Sequence, residues 1–459
     1  MKEKDIRHLY HRVGFGILPN KLDVLTNKSK EEVIDGLFRS SKNPEDLNIE
    51  LTELLPLITK KKDDISKSEG QELRKKSREK VKAFNTAWIN RLVQSEQILL
   101  EKMTLFWANV FVARDNHIFH MQQYNNTLRK HALGNFGAFI KAVAKEPTMS
   151  KYLNNRQNSK QKPNENFARE LLELFTLGNG NYTEQDIKET ARAFTGWAFK
   201  SNGDYYLRSK KHDFGNKTFF AETGNFDGED IIDIILKQKQ CARFICSKIY
   251  RYFVHPTINK NHLDKMIDVF YPTYDIDVLM RHVLMSDWFY DEKNRGAKIK
   301  SPIELLVGIQ QIVPLEFKKQ KQLLNLQKVM GQVLLYPPNV AGWKQDKNWI
   351  DSNTLLFRIK LPSVLINNTV IRFEQKGEFE DSFDTYYTRT KKAGSRIEIE
   401  KDWSIFNRNF KVLNYQKIKE NIIIGKIDPD TNNFLENLAN QDKKEYLVQL
   451  MSLPEYQLC

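Results

Sequence analysis

The segment from Lys162 to Trp197 constrains the fold most, because its apolar residues follow a helical period. Phe167, Leu171 and Leu174 recur at spacings of four and three residues, which places them on one face of a helix. Residues with that spacing need a partner surface to cover them. The segment therefore predicts a helix that packs against a core.

The second half of the same segment predicts a turn and another helix. Gly178 and Gly180 are typical of the left-handed backbone that ends a helix. Thr183 is followed three residues later by Asp186, a spacing typical of a capping box with Asp in place of Glu. Residues 162–197 are therefore predicted to form helix, tight turn and helix.

The polar face of the first helix carries Glu165, Arg169 and Glu173, which are four residues apart, with Glu170 beside them. One interpretation is a solvated ladder of ion pairs, each worth about 0.2–0.5 kcal/mol. The second is a buried network that orients the helix pair. The third is a ligand or metal site that uses Glu170 and Glu173 as oxygen donors. The sequence leaves these alternatives open, although an EF-hand is excluded because apolar residues occupy two of its ligand positions.

Helical periods with short connections recur along the chain and predict an all-α architecture. One short β-hairpin-like insertion is predicted near residues 204–221, where Tyr and Phe alternate. Because loops on helical scaffolds often carry function, we expect this insertion to form a lid over the central segment. Residues 41–80 are polar and rich in lysine, which indicates a solvated insertion or a charged helix.

Composition narrows the classes of partner. The chain of 459 residues carries 72 Lys and Arg against 58 Asp and Glu, a net charge of +14. A basic balance favours anionic partners, but no recognisable nucleic-acid-binding motif accompanies the charge, so nucleic acid is not the expected partner. No stretch approaches 18 apolar residues, and the first residues lack the apolar run of a secretory signal. We therefore expect a cytoplasmic protein without a membrane span.

Cysteine usage indicates neither a zinc site nor a disulfide framework. Cys241 and Cys246 are five residues apart on one predicted helix, which is neither a metal-ligand pair nor a CxxC motif. Both thiols are therefore expected to be buried.

Several motifs occur in the order found in a bacterial family catalogued as domain of unknown function 1800, and the chain is similar to that family on their account. They are NENFARELLELFTLG (164–178), HRVGFG (11–16), EKMTLFW (101–107), LRKHALGNF (128–136), GNFDGEDIID (224–233), KSPIELLVG (300–308) and MGQVLLYPPNVAGW (330–343). The resemblance runs from His8 to about Leu361. It implies one helical domain at 1–361, with 362–459 as a C-terminal helical extension packed on it.

One motif departs from the family. Relatives commonly read FWHNHF where this chain reads FWANVF, so Ala108 and Val110 replace two histidines around Asn109. The loss weakens any metal hypothesis, and the sequence assigns neither a metal nor a cofactor. The family's genes often neighbour those of domain of unknown function 1501, a family that resembles sulfatases and phosphatases. The resemblance therefore implies such a protein as a partner, and export as its passenger is the alternative to a cytoplasmic location.

Two functions remain open. No phosphate-binding loop, GxSxG or HExxH motif occurs. The favoured hypothesis is a scaffold or maturation factor acting with the sulfatase-like protein. The alternative is an enzyme, of the hydrolase class, or a binder of anionic small molecules or glycans in an acidic and arginine-containing helical cleft.

The candidate residues for that cleft come from several motifs. Lys300, near a helix start, is expected to meet an acid of the central segment. The candidate catalytic residues are Glu170, Glu173 and His212, and the candidate ligand-binding residues are Arg12, Asn109, Asn164, Glu165, Arg169, Arg192, Asp213, Lys300, Asn339 and Trp343.

Overall fold

A computed structural model describes residues 1–58, 65–367, 397–439 and 442–459. Part of the lysine-rich stretch, residues 59–64, lies outside these ranges, as does 368–396 of the predicted C-terminal extension. Within the described ranges the fold is mainly α-helical, as predicted.

The first half of the chain contains eleven of the described α-helices. They are α1 (Glu3–Val13), α2 (Pro19–Thr26), α3 (Lys30–Ser41), α4 (Leu55–Ile58), α5 (Lys67–Gln94), α6 (Ile98–Ala108), α7 (Ile118–His131), α8 (Phe136–Lys145), α9 (Pro147–Tyr152), α10 (Asn166–Glu170) and α11 (Glu184–Ala193).

The second half contains another eleven described helices. They are α12 (Gly228–Leu236), α13 (Lys239–Phe253), α14 (Lys260–Phe270), α15 (Ile276–Met285), α16 (Pro302–Ile312), α17 (Gln320–Met330), α18 (Ser352–Ile366), α19 (Ser404–Asn409), α20 (Tyr415–Ile422), α21 (Pro429–Leu438) and α22 (Lys443–Met451).

The described strands form three antiparallel pairs. The pairs are β1 (Trp197–Phe199) with β2 (Tyr205–Leu207), β3 (Lys217–Phe219) with β4 (Glu222–Gly224), and β5 (Leu315–Phe317) with β6 (Ile399–Lys401). The insertion predicted near 204–221 is therefore two consecutive hairpins. The third pair joins the helical domain to the segment that follows residue 396, and α18 packs against α22.

The central segment differs from the predicted regular helix. After α10 the chain continues as a π-helix over Leu171–Thr176. The Thr176 hydroxyl donates a hydrogen bond of 2.5 Å to the Leu171 carbonyl five residues earlier. That hydroxyl adds a side-chain hydrogen bond to the wider turn, and π-helical turns are frequent at functional sites.

The turn and the second helix of the segment agree with the prediction. Gly178 and Gly180 have φ values of +82° and +80°, the left-handed region that favours glycine. Thr183 and Asp186 form the predicted capping box, each side chain bonding the other residue's backbone N–H. These local signals are therefore sufficient to place both ends of the connection.

A cluster of aromatic rings anchors the central segment in the core. Trp107, Phe111, Phe136, Phe139 and Phe175 are all buried, and the Phe111 ring lies 5.5 Å from that of Phe175 between centroids. The cysteines are buried free thiols, as predicted for two of them. Among the described helices, none is both long and apolar enough to cross a bilayer.

Candidate functional site

Three charged side chains from distant parts of the chain meet in the interior. The Lys102 ammonium lies 2.5 Å from the Glu304 carboxylate, and the Lys298 ammonium lies 3.3 Å from the same oxygen. Lys102 also donates a hydrogen bond of 2.8 Å to the Gly14 carbonyl. The side chains of Lys102 and Glu304 are only 1% and 4% exposed. We call this trio the Glu304 network.

The local sequence explains how Glu304 is held. Ser301 and Pro302 begin α16, and Ser301 and Glu304 form a capping box. In it the Ser301 backbone N–H donates to one Glu304 oxygen at 2.6 Å, which leaves the other oxygen for the two lysines. Both carboxylate oxygens therefore have donors, as a buried charge requires.

The electrostatics keep Glu304 ionised. Burial by itself would raise its pKa, but the ammonium groups of Lys102 and then Lys298 outweigh burial and hold the pKa well below its usual range. For Lys102, burial lowers the pKa and the Glu304 charge opposes that effect. An acid with so low a pKa is a poor proton donor near neutral pH.

A second buried ion pair lies next to the first in sequence. Arg129 donates to both oxygens of Glu101, at 2.8 and 3.2 Å, and the Trp88 indole N–H donates to Glu101 at 3.3 Å. The adjacent residues Glu101 and Lys102 therefore connect the motif at 101–107 to those at 128–136 and 300–308. Three of the motifs shared with the family are therefore in contact through buried ion pairs.

A pocket of about 180 Å³ adjoins the Glu304 network, between α6, α13, α16 and residues 344–349. Asp346, on its wall, has a φ of +51°, which is strained for a residue other than glycine. The lining residues are Leu105, Asn109, Arg251, Tyr252, Pro256, Lys298, Ile299, Ser301, Glu304, Gln332, Lys344, Gln345, Asp346 and Trp349.

The charged groups in this pocket are predominantly cationic. Arg251, Lys298 and Lys344 face two carboxylates, those of Glu304 and Asp346. Arg251 lies in the last turn of α13, and it is exposed, as is Lys344. Within the part of the chain that the structure describes, neither of these two has a carboxylate at ion-pair distance. The pocket can therefore supply two unneutralised cations to a bound anion.

Asn109 is the predicted site residue that lines this pocket. Its side-chain oxygen accepts a hydrogen bond of 2.7 Å from the Trp343 backbone N–H. A Cβ atom on Gly342, whose φ is +84°, would lie 2.3 Å from that oxygen. Asn109 therefore holds the loop that carries Trp343, whose own side chain is buried.

Three other predicted residues form hydrogen bonds outside this pocket. The Lys300 ammonium is buried and donates to the Tyr456 carbonyl at 2.8 Å, so the expectation that it meets an acid of the central segment is wrong. Arg12 is also buried and donates to the Asn294 carbonyl. Asn339 accepts a hydrogen bond from the Ala341 N–H at 3.0 Å within its own exposed turn.

The acidic face of the central segment pairs largely with itself. Arg169 lies 3.0 Å from Glu184 and 3.4 Å from Glu165, and all three side chains are partly or mostly exposed. We call these three residues the Arg169 network. The Tyr182 hydroxyl donates to Glu173 at 3.0 Å.

Two further predicted residues lie in the same segment. Burial, and then the neighbouring Glu173 charge, raises the pKa of Glu170. The backbone N–H of Asn164 donates to the Asn158 side-chain oxygen at 2.9 Å, so the contact made by Asn164 is structural.

The remaining predicted residues lie where the hairpins pack on α11. Arg192 contacts Asp213 at 2.8 Å and Glu189 at 2.7 Å, so two residues predicted to line one cleft are paired with each other. The His212 ring is buried, and its Nδ1 lies 2.8 Å from the Thr195 carbonyl. Arg192 and Asp213 thus contact each other and His212 contacts Thr195, whereas the catalytic role of Glu170 and Glu173 stays a prediction.

Sequence reasoning missed Lys102, Lys298, Glu304, Arg251 and Trp349. A usable signal was the pair Glu101–Lys102 inside the otherwise apolar helix ILLEKMTLFWA, because charges on an apolar helix need buried partners. Which partners they find is not readable from local pattern. Among the described residues, no group of three or more His, Cys, Asp or Glu could hold a metal ion.

Comparison with known families decides the relationship. The family described as "Protein of unknown function (DUF1800)" matches residues 8–458. The chain belongs to this family. The DUF1800 match continues past Leu361 through most of the predicted C-terminal extension. No curated protein matches the chain, and no solved structure matches it.

Proposed function

We propose that this DUF1800 protein binds a small anionic molecule in the pocket beside the Glu304 network. The observation that carries the proposal is the pair of unneutralised cations, Arg251 and Lys344, on a pocket of about 180 Å³. Cations that line a concave site attract an anion, and partial exclusion of water strengthens the interaction. The sequence analysis also offered binding of an anionic small molecule as one alternative, but placed it in a cleft of the central segment.

The chemistry of the pocket supports binding more than catalysis. Glu304 is held as a carboxylate by two ammonium groups, which disfavours a role as general acid. The Ser301 hydroxyl caps α16 by accepting a hydrogen bond from the Glu304 N–H at 3.2 Å, and Ser301 has no imidazole beside it in the pocket lining. An activated nucleophile would need an adjacent base. Hydrolase activity stays a prediction, and we assign no catalytic residue to it in this pocket.

The test is calorimetric titration of the full chain with a panel of acetate, benzoate, sulfate and inorganic phosphate. We expect at least one anion to bind, and Lys344→Gln to weaken it about tenfold, since a hydrogen bond to a charged group contributes about 1.5 kcal/mol or more. Lys347→Gln is the matched control, because Lys347 is exposed three residues away and does not line the pocket. Absence of binding by all four anions, or equal weakening by both substitutions, would refute the proposal.

A second proposal retains the function that the sequence favoured, a scaffold or maturation factor for a sulfatase- or phosphatase-like protein. The ion pairs of Arg169 with Glu184 and of Arg192 with Asp213 support it, because such pairs can orient helices without taking part in a reaction. Co-expression and affinity purification test it. Capture of the DUF1501-type protein by wild type, with loss of capture in Glu170→Ala at an unchanged melting temperature, is expected; no capture by wild type would contradict it.

Cytoplasmic location, or export with that partner, stays a prediction tested by fractionation of the host.

A further inference from the structure

We infer that the anion is a monocarboxylate with an apolar body of about the size of a benzene ring. The inference rests on the proposed function, since it assigns a ligand class to the same pocket. Three features of the pocket carry it: its volume, the apolar part of its lining and its charge balance.

The volume exceeds what a small inorganic anion needs. A cavity of about 150 Å³ holds benzene in a protein interior. The pocket here measures about 180 Å³. Sulfate or phosphate would leave much of that space to water, whereas a ring with one carboxylate would occupy it.

The lining offers apolar surface as well as charge. Leu105, Pro256, Ile299 and Trp349 contribute to the walls together with the cations. Trp349 is only 5% exposed, so its indole already belongs to the protein interior. Ligand sites commonly combine apolar walls that bury the body with a few polar groups that orient it. An anion without an apolar body would leave these walls facing water.

The charge balance favours a single negative charge. Glu304 is already paired with Lys102 and Lys298, so Arg251 and Lys344 remain for the ligand. Asp346 is the lining carboxylate that offsets one of their two charges. A dianion would place its second charge in a site with two carboxylates, which disfavours it.

The side-chain chemistry of the donors also suits a carboxylate. Arg251 presents a planar fork of N–H groups, which matches two carboxylate oxygens, while Lys344 provides a point charge. The carboxylate would lie at these two side chains, and the apolar body would contact the walls that include Leu105 and Trp349.

The experiment compares four probes by titration of the full chain: benzoate, acetate, benzamide and inorganic phosphate. Benzoate is expected to bind at least tenfold more tightly than each of the others, because acetate lacks the ring, benzamide lacks the charge and phosphate lacks the ring while carrying up to two charges. Arg251→Gln should weaken benzoate at least tenfold. Arg243→Gln, on the same helix and paired with Asp264 at 3.2 Å, should leave it unchanged.

The outcomes separate the two claims. If acetate or phosphate binds as tightly as benzoate and Lys344→Gln weakens that binding, anion binding stands and the monocarboxylate inference fails. If benzamide binds as tightly as benzoate, charge plays no part and the inference fails. If none of the anions binds, the proposed function fails as well. Melting temperatures of all variants show whether loss of binding comes from loss of folding.

Discussion

The Glu304 network and the Arg169 network use the same chemical groups in opposite environments. Lys102 and Glu304 are nearly inaccessible to solvent, whereas the side chains of Arg169 and Glu184 are 39% and 69% exposed. The second network stands in the segment with the densest charged motif, yet the first adjoins the pocket. The density of charged residues in a sequence therefore does not indicate which charges are buried or which lie beside a pocket.

Sequence separation explains the contrast. Arg169 and Glu184 are 15 residues apart, across one tight turn, whereas Lys102 and Glu304 are 202 residues apart. A local pair forms wherever its helices form and loses little hydration. A long-range buried pair forms only when the fold removes both groups from water, so each partner depends on the other.

The largest loss of stability is expected for Glu304→Gln. The substitution leaves the Lys102 and Lys298 charges buried without their carboxylate, and we expect a loss of about 3–5 kcal/mol in the free energy of unfolding. Urea denaturation at pH 7 measures it. The double variant Lys102→Met/Glu304→Leu should lose less than Glu304→Gln does, since only Lys298 then remains without its carboxylate. A loss below about 1 kcal/mol for Glu304→Gln would place this network in the class of surface ion pairs.

The pH dependence of stability should follow from the same group. Because the folded-state pKa of Glu304 is lowered, its contribution is present above the unfolded pKa of about 4.3 and is lost as pH falls further toward the folded value. Wild type should therefore lose stability below about pH 4.3 more steeply than Glu304→Gln. Denaturation curves between pH 2 and pH 7 measure the two slopes, and parallel slopes would contradict the lowered pKa.

Glu170 should show the opposite sign with a smaller effect. Its folded-state pKa is raised by burial and by Glu173, so its contribution to stability is present at low pH and is lost as pH rises through the folded pKa. Glu170→Gln should therefore stabilise the protein at pH 7 by less than about 1 kcal/mol, since the group is only half-buried. The gain should vanish below about pH 4. Thermal melts at both pH values test this, and destabilisation at pH 7 would indicate that the charge has a favourable partner.

The smallest effect is expected for Arg169→Gln. Its ion pairs with Glu165 and Glu184 are partly exposed, and pairs of this kind contribute about 0–1 kcal/mol. Added salt should reduce the difference from wild type further, because exposed charges are screened. A loss comparable to that of Glu304→Gln would remove the distinction between the two networks.

Much of the fold was predictable because its signals are local. The helical class, the glycine turn at Gly178 and Gly180, and the capping box of Thr183 with Asp186 follow from period and spacing. Family membership also follows from motifs that can be read in order along the chain. Arg192 and Asp213 were predicted to line one cleft, but neither their ion pair nor the contact of Arg192 with Glu189 was predicted.

The remaining features depend on contacts between distant residues. The π-helical turn at Leu171–Thr176 interrupts a pattern that reads as a regular helix. Lys300 carries the same charge as Lys298 two residues earlier, yet its ammonium donates to the Tyr456 carbonyl while that of Lys298 contacts Glu304. Local pattern cannot separate these two lysines.

The helical class, the helix ends that carry capping residues and the family can all be read from local sequence. The identity of the buried charges, the carboxylate that each lysine contacts and the sharing of one pocket by Arg251, Lys344 and Trp349 follow only from the folded chain. Hydrogen bonds within a turn of helix depend on neighbours in the chain, whereas desolvation and ion pairing depend on residues that the fold brings close from distant positions.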